Sequence, residues 1–286
     1  MQIKSFFDPN TSTITYVVSD PETLRCAIID SVRDFDLYSG RLTSQSVDTV
    51  IDYIKQMNLQ VEWILDTHVH ADHLTAANYL KDKLGGKIGI GENIKNVLLY
   101  WIPIFNTGLD TPSDGSQFDV LFSDGTQFKI GNLNVKVIHT PGHTPDSVCY
   151  YINDAVFVGD TIFMPYVGTA RTDFPGGSAK MLYHSIQKIL ALPDKTRIYT
   201  CHDYPPEGQE PAWESTVAEQ KKNNFMINSS VKENEFIAAR NKKDSNKPVP
   251  KLLLPSIQVN LRAGKLGTVE TNQTQYIKIP INKVSE

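Results

Sequence analysis

The period of the apolar positions changes several times along this chain, and each change predicts an element. Segments 14–18 (ITYVV) and 26–30 (CAIID) are rich in β-branched residues and bounded by turn formers, so they read as strands. Val47, Val50, Ile51, Ile54 and Met57 recur at helical spacing, which predicts an amphipathic helix over about 44–58. The short strand Trp63-Ile64-Leu65 then runs into THVHADH. A second helix is expected from Asp72 to the Gly85-Gly86 pair, a normal C-terminal signal. Segment 87–90 (KIGI) predicts a strand, and an apolar segment containing Pro103 leads into a polar loop. Ser123-Asp124-Gly125 reads as a hairpin turn, followed by TQFKI, VKVIH, VCYYI and AVFVG as successive strands. Leu182, Ile186, Ile189 and Leu190 share one face of a helix over 178–192, and the strand RIYTCH ends at His202.

The two halves echo each other. Each runs strands, then a helix, then an apolar strand whose end delivers histidine, at His68 and at His202. This alternation predicts an α/β fold. Beyond His202, Ser230-Val231-Lys232-Glu233 reads as a capping box, and the polar stretch NKKDSNKP precedes a Leu/Pro segment and a tail. That region has too few apolar residues for a core of its own. The expected organisation is a main domain over 1–205 with 206–286 as a C-terminal extension packed on it.

Composition narrows the classes. A length of 286 residues fits one large or two small domains. The 28 Lys+Arg against 32 Asp+Glu leave a net charge of −4, without the basic face a nucleic-acid partner would need. The longest apolar run, 97–105, is far short of the roughly 20 residues of a membrane-spanning helix. The opening MQIKSFFDPN shows no apolar core of a secretory signal, and three cysteines at unrelated spacings make no disulfide framework. A reducing cytoplasm is the expected compartment.

The chemistry lies in the histidines, of which there are seven. His68-Val69-His70-Ala71-Asp72-His73 places three at offsets that chance would produce in roughly 0.4% of chains this long. Alternation at a strand end lets His68 and His70 converge, with Asp72 and His73 on the first turn of the next helix. Asp72 would also serve as a plain helix N-cap. His143 in TPGHTPDS, Asp160 in FVGD and His202 each follow a strand. Ligands delivered from strand ends suit a catalytic metal site, because the sheet fixes them while loops leave coordination positions open. His139 reads as a strand-end residue and His184 as a structural helix residue. Cys201, beside His202 on an apolar strand, reads as a buried small hydrophobe facing away from it.

This ordered set resembles the metallo-β-lactamase superfamily. The resemblance implies a four-layer αββα sandwich with a C-terminal helical extension. It assigns His68, His70 and His143 to a first metal position, Asp72, His73 and His202 to a second, and Asp160 between them. DTHVHADH, TPGHTPDS, GDTIF, ARTDFPGGSAKMLYHSI, LPDKTRIYTCHDYPP and PSIQVNLRAG together look like the persulfide dioxygenase branch. That resemblance implies one Fe(II) per chain held by His68, His143 and Asp160, a two-histidine, one-carboxylate set with positions open for dioxygen and substrate. His70, Asp72, His73 and His202 would then orient that set or form a second metal site. It further implies a small-molecule persulfide and O2 as substrates, Arg171 and Tyr204 near a glutathione moiety, and a homodimer. Asp173 is the internal partner that would instead occupy Arg171. Two segments depart from the animal enzymes, a longer loop at MPYVGTA and an insertion over 101–118 placed near the mouth of the site.

The rival reading is a glyoxalase II-type zinc hydrolase of glutathione thioesters, for which all seven ligands of a two-metal centre are present. RTDF and HDY favour the dioxygenase. β-Lactam hydrolysis lacks a secretion signal, nuclease activity lacks basic surface, and a non-catalytic metal module would predict a degraded site.

Overall fold

Alternation along two strands decides the layering. In the computed structural model, which describes residues 1–283, Ile14, Tyr16 and Val18 pack into one apolar cluster and Val17 into another. Ala27 and Ile29 join the first cluster, Cys26 and Ile28 the second. Successive strand side chains point to opposite faces, so strands with both sets buried lie in a sheet covered on two sides.

The first half contributes β1 (Gln2–Asp8), β2 (Thr13–Ser19), β3 (Arg25–Ile29), the short β4 (Val32–Arg33), β5 (Phe35–Asp36) and β6 (Arg41–Leu42), and helix α1 (Gln45–Gln56). Then come β7 (Gln60–Leu65), β8 (Leu74–Thr75), α2 (Ala77–Leu84), β9 (Lys87–Gly91), α3 (Ile94–Phe105) and β10 (Val120–Phe122). The second half runs β11 (Gln127–Ile130), β12 (Leu133–His139), β13 (Val148–Ile152), β14 (Ala155–Phe157), α4 (Ala179–Leu190), β15 (Arg197–Tyr199) and β16 (Glu214–Thr216). Helices α5 (Val217–Asn223), α6 (Glu233–Asp244) and α7 (Leu253–Asn260) follow.

Two six-stranded sheets result, ordered β1-β2-β3-β7-β9-β10 and β11-β12-β13-β14-β15-β16. Their facing sides meet through Tyr16, Ile29, Leu65, Phe122, Val137, Tyr150 and Phe157. Helices α1, α2, α3 and α7 cover the outer face of the first sheet, and α4, α5 and α6 that of the second. The chain therefore adopts the expected αββα sandwich. Burying each large aliphatic side chain in these layers contributes on the order of 1.5–3 kcal/mol. Tyr16 crosses the inter-sheet space edge-on to Phe157 and Tyr199, and its hydroxyl donates to the Thr200 carbonyl just before His202. Among the described residues no helix is long and apolar enough to cross a membrane.

Several boundaries differ from the sequence reading. Helix α2 starts at Ala77 rather than Asp72, because Val32 and Arg33 pair with Thr75 and Leu74 and hold 74–75 extended. The apolar segment around Pro103 is α3, whose Trp101 and Phe105 stack at 5.4 Å in the core. Strand β1 lay outside the sequence prediction. The capping box at Ser230 is displaced by two residues: the Lys232 N–H donates to the Glu235 carboxylate, while Ser230 bonds Asn228.

The 101–118 insertion docks on the C-terminal residues rather than lining the site. Arg262 donates to Asp110 and Thr111 at 2.9 Å, and the Thr268 N–H also reaches Asp110 at 2.9 Å. Burial alone would raise the Asp110 carboxyl, but the Thr268 amide and the Arg262 guanidinium outweigh it and hold it at about 2. An unfolded Asp titrates near ~3.9, so this contribution is complete above that pH and is lost as pH falls toward 2. Urea midpoints of wild type and Asp110→Asn are therefore expected to converge as pH falls below about 4. A gap independent of pH would contradict the linkage.

Candidate metal centre

Four strand ends at one edge of the sandwich carry the site. The loop after β7 brings His68, His70, Asp72 and His73, that after β12 brings His143, that after β14 brings Asp160, and that after β15 brings His202. All seven residues predicted as ligands come together, in two sets. The ligand atoms of His68, His143 and Asp160 lie within 4.8 Å of one another, as do those of His70, Asp72, His73 and His202. The His68 and His70 rings are neighbours at 4.2 Å, but His70 groups with the second set. Asp160 stands between the sets. One carboxylate oxygen is 3.5 Å from His143 Nε2 and 3.9 Å from His68 Nε2, and the other is 3.4 Å from His202 Nε2.

Electrostatics suits a cation. Burial, then the neighbouring His70, pushes the His68 imidazole well below its usual range; burial and His73 do the same to His70. Burial lowers His143 to about 4. Neutral imidazole is the metal-ligating form. Burial raises the Asp160 carboxyl despite the opposing pull of His202. His70 Nδ1, His73 Nε2, His202 Nε2 and Asp160 Oδ1 are buried without a hydrogen-bond partner. His202 Nε2 lies 3.2 Å from an Asp72 oxygen without an aligned hydrogen bond, and since buried polar atoms are nearly always paired, these four atoms fit an ion that supplies the missing partner.

The opposite side of each ring is tied down. His143 Nδ1 meets the Arg171 carbonyl at 2.7 Å, and His68 Nδ1 lies 3.0 Å from Thr67 Oγ1. His70 Nε2 sits 2.9 Å from Asp30, and Thr13 Oγ1 lies 3.3 Å from both His73 Nδ1 and His202 Nδ1. Asp30 is the hub, since it also accepts the Thr67 N–H at 2.8 Å and the Thr67 hydroxyl at 3.0 Å. Its φ of 52° is a strained left-handed conformation for a residue with a Cβ. Asp30, absent from the candidates above, ends the apolar strand CAIID just as Asp160 ends FVGD. Gly159, before Asp160, has φ 51°, and a Cβ there would meet Thr67 Oγ1. Only glycine lets these two loops approach so closely. Asp30→Asn is expected to weaken metal binding about 10- to 100-fold with the fold retained, measured by chelator competition. Unaltered affinity would remove Asp30 from the site.

Arg171 lines the cavity, yet its guanidinium is spent on both oxygens of Asp173 (2.6 Å each) and on the Pro248 carbonyl (2.8 Å). Its backbone carbonyl meets the His143 ring. Tyr204 borders the cavity with its ring nearly parallel to that of His202, 6.1 Å away. Cys201 does not face away: its Sγ lies within 4.8 Å of ligand atoms of Asp160 and His202. Strand β15 stops at Tyr199, so alternation no longer governs residues 201 and 202. His139 and His184 lie outside the cluster, beside Asn93 and Glu233.

The cavity in front of the metal set measures about 250 Å³. His143, Asp160 and Asp72 line its floor, Phe163, Val167, Ala170 and Phe174 its walls. Lys243 and Lys247, which the sequence reading did not single out, bring positive charge to it. No residue of 101–118 lines it.

This arrangement matches a known family. The description "Metallo-beta-lactamase superfamily" fits residues 9–202. The chain belongs to the metallo-β-lactamase superfamily. It is 51% identical to the beta-lactamase hydrolase-like protein of Agrobacterium fabrum over 98% of its own length, and spans 64% of that longer protein. Similarity to Glyoxylase B2 of Dictyostelium discoideum is 49% identity, covering 100% of this chain and 98% of the relative. The mitochondrial persulfide dioxygenase ETHE1 of Mus musculus is 29% identical, over 92% and 88% of the two chains. The crystal structure of ETHE1 from Myxococcus xanthus superposes with a TM-score of 0.74 at 30% identity, covering 93% of this chain and all of that one. Superfamily membership and the His/Asp cluster together support a bound metal ion.

Proposed function

We propose that this protein is a persulfide dioxygenase, oxidising the outer sulfur of glutathione persulfide or a related low-molecular-weight persulfide with O2, after which water cleaves the S–S bond to give sulfite and free thiol. The observation that carries the reading is the set of His68, His143 and Asp160, two of which face the cavity. Two imidazoles and one carboxylate suit Fe(II) and leave open positions, and iron bound there would supply the redox chemistry that oxygen transfer to sulfur needs. The chain's own residues prepare the site. The Thr67 hydroxyl and the Arg171 carbonyl fix the His68 and His143 rings so that each Nε2 turns toward Asp160. Phe163, Val167, Ala170 and Phe174 give the cavity an apolar wall suited to a soft sulfur. Lys243 and Lys247 favour a substrate bearing carboxylates, the charge Arg171 is too occupied to provide.

A second observation supports the glyoxalase II-type hydrolase. His70, Asp72, His73 and His202 form a complete second ligand set with orphaned nitrogens, as a two-zinc centre would require. One experiment separates the readings: metal analysis of anaerobically purified protein, paired with oxygen uptake on glutathione persulfide. One iron per chain with rapid uptake is the expected result. Two zinc ions per chain, no uptake, and cleavage of a glutathione thioester would overturn it.

A further inference from the structure

The geometry points to Asn260 as a positioning residue of the metal centre. This inference rests on reading the histidine cluster as that centre. Asn260 is the last residue of α7, and its side chain is buried. Its carboxamide Nδ2 donates to the carbonyls of His70 and His73, both at 2.8 Å, and its Oδ1 accepts the Thr75 N–H at 2.8 Å. The orientation of the amide is decided by its partners, since two carbonyls can only accept and a backbone N–H can only donate.

Both amide hydrogens are used, and they diverge at a fixed angle from one nitrogen. The two carbonyls they hold are three residues apart, so their separation is set by a single planar group. Between and at those carbonyls stand His70, Asp72 and His73, three of the four residues in the second ligand set. The segment from His70 to His73 lies outside any helix or strand, which leaves these carbonyls without ladder partners. Asn260 supplies what secondary structure supplies elsewhere.

The side chain can act as a template because α7 is itself anchored. Leu253, Ile257 and Leu261 are buried in the layer covering the first sheet. Arg262 is pinned to Asp110 and Thr111. Gly264 has φ 88°, and a Cβ there would come within 3.0 Å of the Thr75 carbonyl and 3.1 Å of the Asn78 nitrogen. The stretch Asn260-Leu261-Arg262-Ala263-Gly264 thus clamps the ligand loop from behind, with the amide at its centre.

The test is a cobalt(II) titration of the metal-free full-length chain, compared for wild type, Asn260→Asp, Asn260→Ala and Leu253→Ala. Asn260→Asp keeps the volume and one acceptor but loses both donors. Leu253→Ala damages packing of the same helix without touching the three bonds. Both Asn260 variants are expected to bind cobalt about 10- to 100-fold more weakly and to shift its visible ligand-field bands. Leu253→Ala is expected to lower the thermal midpoint while keeping the wild-type bands and affinity. Asn260 variants with wild-type bands and affinity, or a Leu253→Ala variant with the same losses, would overturn the inference. Should Asn260→Ala fail to fold, the isosteric Asn260→Asp carries the comparison. A wild-type chain that takes up no cobalt overturns the metal-centre reading itself, and this inference with it.

Discussion

Replacing His143 with alanine is expected to strip the metal from the protein and abolish turnover. His143 is one of two imidazoles in the compact set and stands 3.5 Å from the Asp160 carboxylate. Its ring is held on one edge by the Arg171 carbonyl and packs edge-on to Phe174 at 5.1 Å. Burial holds it neutral down to about pH 4, so the wild-type ligand is ready at physiological pH. Removing it leaves Asp160 buried, its carboxyl already raised by desolvation, with one imidazole of the set gone. Outer hydrogen-bond partners of metal ligands are typically worth about 10- to 100-fold, and a direct ligand should exceed that. We expect at least ~10³-fold loss of activity, about 4 kcal/mol of transition-state stabilisation. Metal content per chain and oxygen uptake on glutathione persulfide are the measurements. Full metal and uptake in His143→Ala would remove it from the ligand list, and His139→Ala, outside the cluster, serves as the control.

Arg240→Ala should produce the largest loss of stability. Arg240 is fully buried on α6 and bonds both oxygens of Asp244, with its remaining reach taken by the Thr169 carbonyl at 2.9 Å. Asp244 in turn accepts the Thr172 N–H at 2.9 Å. Truncating the arginine leaves the buried carboxylate with only the Thr172 groups and a lysine 4.0 Å away, a loss of about 3–5 kcal/mol. Against a total stability of roughly 5–15 kcal/mol, that is a severe loss. The pair also holds both ends of segment 169–172, whose Arg171 carbonyl orients His143. Metal binding should therefore weaken along with the fold. Arg240→Lys keeps the charge but not the fork and should fall between the two. Urea denaturation is the check, and a loss below about 1 kcal/mol would show that the pair contributes little.

What was legible in the sequence was local. The 3.6-residue period of Val47, Val50, Ile51 and Ile54 is α1, and that of Leu182, Ile186 and Ile189 is α4, because each helix has one polar and one buried face. Helix α2 was placed too early because Asp72 and Gly85-Gly86 are good caps in isolation, whereas pairing of β8 with β4 overrides them. Helix α3 was obscured by Pro103, which its last turn tolerates. Cys201 was misplaced because period-two reasoning was carried past the end of its strand. Lys243 and Lys247 carry no spacing signal, since they reach the cavity from an element distant in sequence.

The sequence by itself determined most of the strands and helices and the seven ligand candidates, because period, turn chemistry and histidine offsets are properties of short stretches; the sandwich came from the family resemblance that those motifs carry. Only the tertiary structure decided how those ligands divide into two sets, and that Arg171 gives its carbonyl while Asp173 takes its charge. It also decided that an asparagine 187 residues beyond His73 holds the ligand loop. A hydrogen bond between distant segments leaves no period behind. It exists only once packing has brought a donor and an acceptor to within 3 Å.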